Sequence, residues 1–81
     1  MQFTPKGVCC RMIDVELEGD IVKSVTFVGG CAGNTLGVAA LVKGMNVDEA
    51  ISRIQGIRCG FKSTSCPDQL AQALKTAKAN Q

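Results

Sequence analysis

The sequence predicts an α+β fold: a small antiparallel sheet with three helices packed on one face. Three observations carry that prediction. Residues 8–28 read as two apolar-alternating runs around a tight turn. After Gly29-Gly30 the apolar residues switch from strand to helical spacing. Pro67 and Asp68 then open a last amphipathic run.

The first run, VCCRMIDVEL from Val8 to Leu17, sets Ile13, Val15 and Leu17 on one face and Asp14, Glu16 and Glu18 on the other. That is the period-two signature of a half-buried strand. Gly19-Asp20 supplies the turn, and IVKSVTFV at residues 21–28 returns with Val25 and Phe27 on the core face. Gln2-Phe3-Thr4 is a candidate short third strand. The run NTLGVAALVKG then carries Leu36, Ala39, Ala40, Leu41 and Val42 at helical spacing, with Gly44 as its stop. Asn46-Val47-Asp48-Glu49 resembles a capping box and starts a second helix. It runs to about Gln55, turns Val47, Ile51 and Ile54 inward and is closed by Gly56. GIRCGFKSTSC forms a connecting loop. A third helix spans Pro67 to Ala79, with Leu70, Ala73, Leu74 and Ala77 on one face. Proline suits the first helical turn, where its missing N–H has no intrahelical partner, and Asp68 there suits the helix dipole.

At 81 residues the chain predicts one domain, residues 1–81, near the lower limit of what a core alone supports. A net charge of +2, no basic run, no Trp or Tyr and only three Phe give no electrostatic footprint or stacking platform for nucleic acid. No apolar segment approaches the roughly 18–20 residues that cross a bilayer. MQFTPKGVCC has a lone Lys and no apolar core, so it does not read as a signal peptide, and a cytoplasmic location is the expectation.

The cysteines hold the functional signal. There are five, an odd number, with no export signal and no His. In a reducing compartment such cysteines point to metal ligation or redox work rather than a disulfide framework. Cys9 and Cys10 fall at the start of the first long strand, Cys31 at the end of the second, Cys59 in the loop and Cys66 at the N-cap of the last helix. All are element ends or loops. Antiparallel pairing alone brings Cys9 or Cys10 towards Cys31. Cys31 and Cys66 both sit at helix starts, whose free N–H groups favour anions, and the thiolate is the metal-binding form. Cys10 reads as a packing residue facing away from Cys9. The bland alternative, small apolar packing for all of them, accounts poorly for several thiols placed at one end of the fold.

Other residues have simpler readings. Gly30, Gly33 and Asn34 in VGGCAGN could cradle a phosphate on a helix start, yet no dinucleotide-binding or Walker spacing is present. Lys62 and Arg58 read as solvated loop charges before they read as anion holders. Asp68 is explained by the helix dipole without acid–base chemistry.

KGVCC, GGCAGN, GIRCG and TSCPDQLAQAL together resemble the TSCPD domain family, named for the pentapeptide at Thr64 to Asp68. The resemblance covers essentially the whole chain. It implies a four-cysteine site at Cys9, Cys31, Cys59 and Cys66, holding zinc or an iron–sulfur cluster. Cys10 departs from the family pattern, which usually has Ser there. Related segments occur at the C-terminal end of adenosylcobalamin-dependent ribonucleotide reductases, implying an accessory link to that reaction. The reductase activity itself does not carry over, because 81 residues leave no room for the radical-bearing barrel. The hairpin, the helix-mouth cysteine, VKGMNVDEA and the last-helix cysteine also look like the U-type iron–sulfur cluster scaffold proteins. That likeness implies a scaffold-like fold with ligands at Cys9, Cys31 and Cys66, where Cys59 replaces the scaffold's histidine.

The expectation is therefore a small metal-binding protein, with no catalytic residue assigned. One alternative is a dithiol redox partner or enzyme of ribonucleoside-diphosphate reductase type, using Cys59 and Cys66. Another is a nucleotide-binding regulatory module on Gly29 to Asn34. Ribonucleotide reductase, another metalloprotein or a second copy of the chain are the expected partners, with no nucleic acid and no membrane.

Overall fold

The computed structural model describes residues 1–7, 10–29, 32–58, 60 and 64–80, with the backbone alone at 32–34. Strands β1 (Gln2–Phe3), β2 (Cys10–Glu18) and β3 (Ile21–Gly29) are followed by helices α1 (Ala32–Val42), α2 (Val47–Ile54) and α3 (Cys66–Ala79). The sheet is antiparallel, in the order β1-β2-β3, so β2 is central. The predicted α+β architecture holds.

The hairpin turns at Gly19-Asp20, where Gly19 takes φ +60°. A two-residue hairpin loop requires positive φ at a position that glycine fills without steric cost. Ile13 and Val15 point into the core and are at most 1 % exposed.

Two bulges break the expected alternation. Cys10 pairs with Gly29 but Met12 with Val28, so Arg11 is an extra residue on β2. Glu16 pairs with Ser24 but Leu17 with Val22, so Lys23 is an extra residue on β3. An unpaired extra residue resets which side chains share a face. Strict alternation would turn Arg11 and Lys23 inward. Instead both are exposed, and Cys10 and Val22 take the inward places, 3 % and 0 % exposed. Val22 was absent from the predicted core for this reason.

Helix α3 lies on β2 and α1 on β3, while α2 packs against α3. Leu70, Ala71, Ala73 and Leu74 of α3 are buried among Ile13, Val15, Val22, Val42, Val47, Ala50 and Ile51. Burying each of the large aliphatic side chains contributes roughly 1.5–3 kcal/mol. Helix α2 starts as predicted: the Asn46 side chain accepts from the N–H groups of Asp48 and Glu49 at 2.9 and 3.3 Å. Glu49 then pairs with Arg53 one turn on, at 3.0 Å.

Helix α1 departs from a simple amphipathic reading. Its apolar residues are not confined to one side, and among its described side chains the buried ones lie on one side. Thr35 and Val42 are buried and Val38 partly so, at i, i+3 and i+7. Leu36 and Leu41 are left 70 % and 77 % exposed. Among the described residues no helix is long and apolar enough to cross a membrane.

Candidate metal centre

The pentapeptide Thr64 to Asp68 builds the start of α3. Ser65 is the N-cap: its Oγ accepts from the Asp68 N–H at 3.1 Å. Cys66 is thus the first helical residue rather than the cap, and Pro67 follows it within the first turn. The cap falls to Ser65 because a hydroxyl can accept an N–H bond that a thiol makes poorly. The same Ser65 hydroxyl donates to the Ile57 carbonyl at 2.6 Å and is buried, 3 % exposed.

Asp68 completes a clamp. Its carboxylate accepts from the Thr64 hydroxyl and from the Gly56 N–H, the latter at 2.7 Å. The Thr64 bond, then the Gly56 bond, hold the Asp68 carboxyl below its ordinary value against partial desolvation. Gln69 donates to Thr64 Oγ1 at 2.9 Å and accepts from the Lys6 N–H at 3.1 Å. Gly7 has φ +73°, and a Cβ there would meet Thr64 Cγ2 at 3.3 Å. The positive φ favours glycine at that position, and any Cβ there would press on Thr64. The motif therefore fastens two remote segments, around residues 6–7 and 56–57, to the start of α3.

Against this frame lies the contact that matters most chemically. The Cys66 thiol donates to the Cys10 sulfur at 3.4 Å, between residues 56 positions apart in the chain. Cys10 reaches it because the Arg11 bulge turns it inward. Cys66 reaches it because α3 starts over the first residue of β2. Cys10 is buried and Cys66 half-buried.

Of the four predicted ligands, Cys66 is at this junction, and Cys9, Cys31 and Cys59 lie outside the described residues. Their described neighbours can be placed. Cys10 pairs with Gly29 across the sheet, Cys10 touches Cys66, and Ile57 is tied to Ser65. The chain next to each predicted position thus reaches the same end of the molecule. No group of three or more possible ligands occurs among the described residues.

The remaining predicted residues stand as follows. Gly30 and Lys62 lie outside the described residues, and Gly33 and Asn34 are described by their backbone alone. A groove of about 330 Å³ beside that loop is lined by Val25, Thr26, Phe27, Gly29, Thr35, Leu36 and Ala39, none of them ionisable. Arg58 is exposed. Asp68 acts as a structural clamp.

Sequence reasoning missed Cys10 as a thiol neighbour of Cys66, since nothing in the alternation announces a bulge. It also missed the Thr64–Asp68–Gln69 network, for which the Ser-x-x-Asp spacing at Ser65 and Asp68 was an available capping signal.

No curated protein and no solved structure matches the chain, so the likeness to the cluster scaffolds rests on the residues quoted for it. The TSCPD domain model matches residues 1–78. With nearly its whole length matched, and with the motif's hydroxyls and carboxylate organising the start of α3, the chain belongs to the TSCPD domain family.

Proposed function

We propose that this protein binds a metal through cysteine thiolates, in a four-sulfur centre of Cys9, Cys31, Cys59 and Cys66. The observation that carries the reading is the 3.4 Å contact between Cys66 and Cys10. It brings the first residue of α3 against the residue next to Cys9. With no His in the chain, any closed shell must be built from thiolates with carboxylates in support. A soft, all-sulfur set suits zinc or an iron–sulfur cluster. Cys66 would bind after losing its proton, on a helix start held rigid by Ser65 and Asp68. Bound metal would cross-link the ends of β2, β3 and α3 and the loop before α3, which stabilises a core this small. A closed shell of this kind retains its ion, which favours a structural or accessory role in a reducing compartment over passing clusters onward. An accessory role beside a ribonucleotide reductase or another metalloprotein is compatible with such a site.

Elemental analysis and an absorption spectrum of anaerobically purified protein test the proposal. Stoichiometric zinc without colour, or iron with sulfide and visible charge-transfer bands, is expected. Metal-free protein after purification and reconstitution would sink it.

A further inference from the structure

We propose that Cys10 and Cys66 form a reversible intramolecular disulfide when the protein meets a peroxide-class oxidant, and that this bond withdraws Cys66 from the metal centre. The second part rests on the thiolate-centre reading. The first rests on geometry alone.

The two sulfurs are 3.4 Å apart, so a disulfide of about 2.05 Å needs only about 1.3 Å of closure. Each sulfur is carried on a firm element. Cys10 is 3 % exposed within the core cluster. Cys66 opens a 14-residue helix that is capped by Ser65. Their exposures differ in a useful way: Cys66 is half-buried and reachable, whereas Cys10 is shut in behind it. This is the arrangement of an attacking thiol with a resolving thiol next to it.

The step balances without a further reactant. The Cys66 sulfur attacks one peroxide oxygen, the O–O bond breaks, and Cys66 sulfenic acid and one water form. The Cys10 sulfur then attacks the Cys66 sulfur. Its S–H proton leaves with the displaced hydroxide as a second water, and the S–S bond closes. Two thiols are oxidised by two electrons, and the peroxide is reduced to two waters. A dithiol reductant reverses the bond by exchange. While it is closed, the Cys66 sulfur is no longer an anionic donor, and a metal shell that includes it is broken.

The experiment uses the full chain, reduced and then treated with one equivalent of hydrogen peroxide, with remaining thiols blocked by alkylation. Metal content is measured first. The predicted product has lost two hydrogens (about 2 Da) and links the tryptic peptides GVCCR and STSCPDQLAQALK. Fragmentation should place the alkyl group on Cys9 and the bond on Cys10. Linkage of Cys66 through Cys9, Cys31 or Cys59, or sulfinic acid at Cys66 without linkage, overturns the inference. Metal-loaded protein should release its ion to a chromogenic chelator on oxidation and rebind it after reduction. The Cys10→Ala variant should lose the link and the reversibility. Should that variant fail to fold, the wild-type peptide map still decides. If the reduced protein holds no metal at all, the thiolate-centre reading falls, while the mapped disulfide stands or falls on its own.

Discussion

Replacing Asp68 by Ala removes the centre of the clamp that holds the loop before α3 to that helix. Two hydrogen bonds are lost, from the Thr64 hydroxyl and from the Gly56 N–H. Bonds to a charged acceptor contribute about 1.5–3 kcal/mol each when well buried. Asp68 is only partly buried, and solvent screening reduces each to about 1 kcal/mol. The expected loss is about 2 kcal/mol, or roughly 8–16 °C in Tm for a domain of this size. The assay is thermal and urea unfolding of both proteins with chelator and reductant present, so that metal plays no part. The pH dependence has a definite sign. The folded carboxyl lies below its unfolded value, so its contribution is complete above about pH 4 and fades as pH falls through the lower folded value. The gap between wild type and Asp68→Ala should therefore narrow as the pH falls below the ordinary carboxyl value. A gap under about 0.5 kcal/mol at neutral pH, or one that does not change on acidification, would refute the clamp.

Further outcomes follow from the same contacts. Ser65→Ala loses the α3 cap and the bond to Ile57, and should lower stability by about 1–2 kcal/mol in urea titrations. Leu74→Ala leaves a cavity at a fully buried site. It should cost about 2–5 kcal/mol, a large fraction of the stability of a domain this size, read as a lower unfolding free energy of the metal-free chain by circular dichroism in urea. Leu36→Gln with Leu41→Gln changes only the exposed side of α1 and should change the unfolding free energy from urea titration by less than about 0.5 kcal/mol.

The parts of the fold that were legible in the sequence are those set by local rules. Alternation located β2 and β3, Gly19-Asp20 located their turn, and Asn46 located the start of α2. Each of these depends on neighbours within a few residues. Register was not legible. The bulges at Arg11 and Lys23 shift the pairing by one residue each, and with that shift Cys10 and Val22 take the inward places. The exposed side of α1 was hidden for a different reason. From Leu36 to Val42 this helix has no polar residue to say which side faces the core, so only tertiary packing selects Val38 and Val42 together with the polar Thr35. At the site, the position of Cys66 at the start of the last helix was visible, and Cys66 meets the start of β2. That it meets Cys10 there depends on the same bulge.

X-ray absorption at the edge of whichever metal the purified protein carries tests the central claim most directly, because it counts donor atoms. A shell of four sulfurs, at about 2.3 Å if the ion is zinc, is the predicted result. A shell dominated by oxygen or nitrogen, or the same sulfur count in Cys66→Ser as in the wild type, would contradict it.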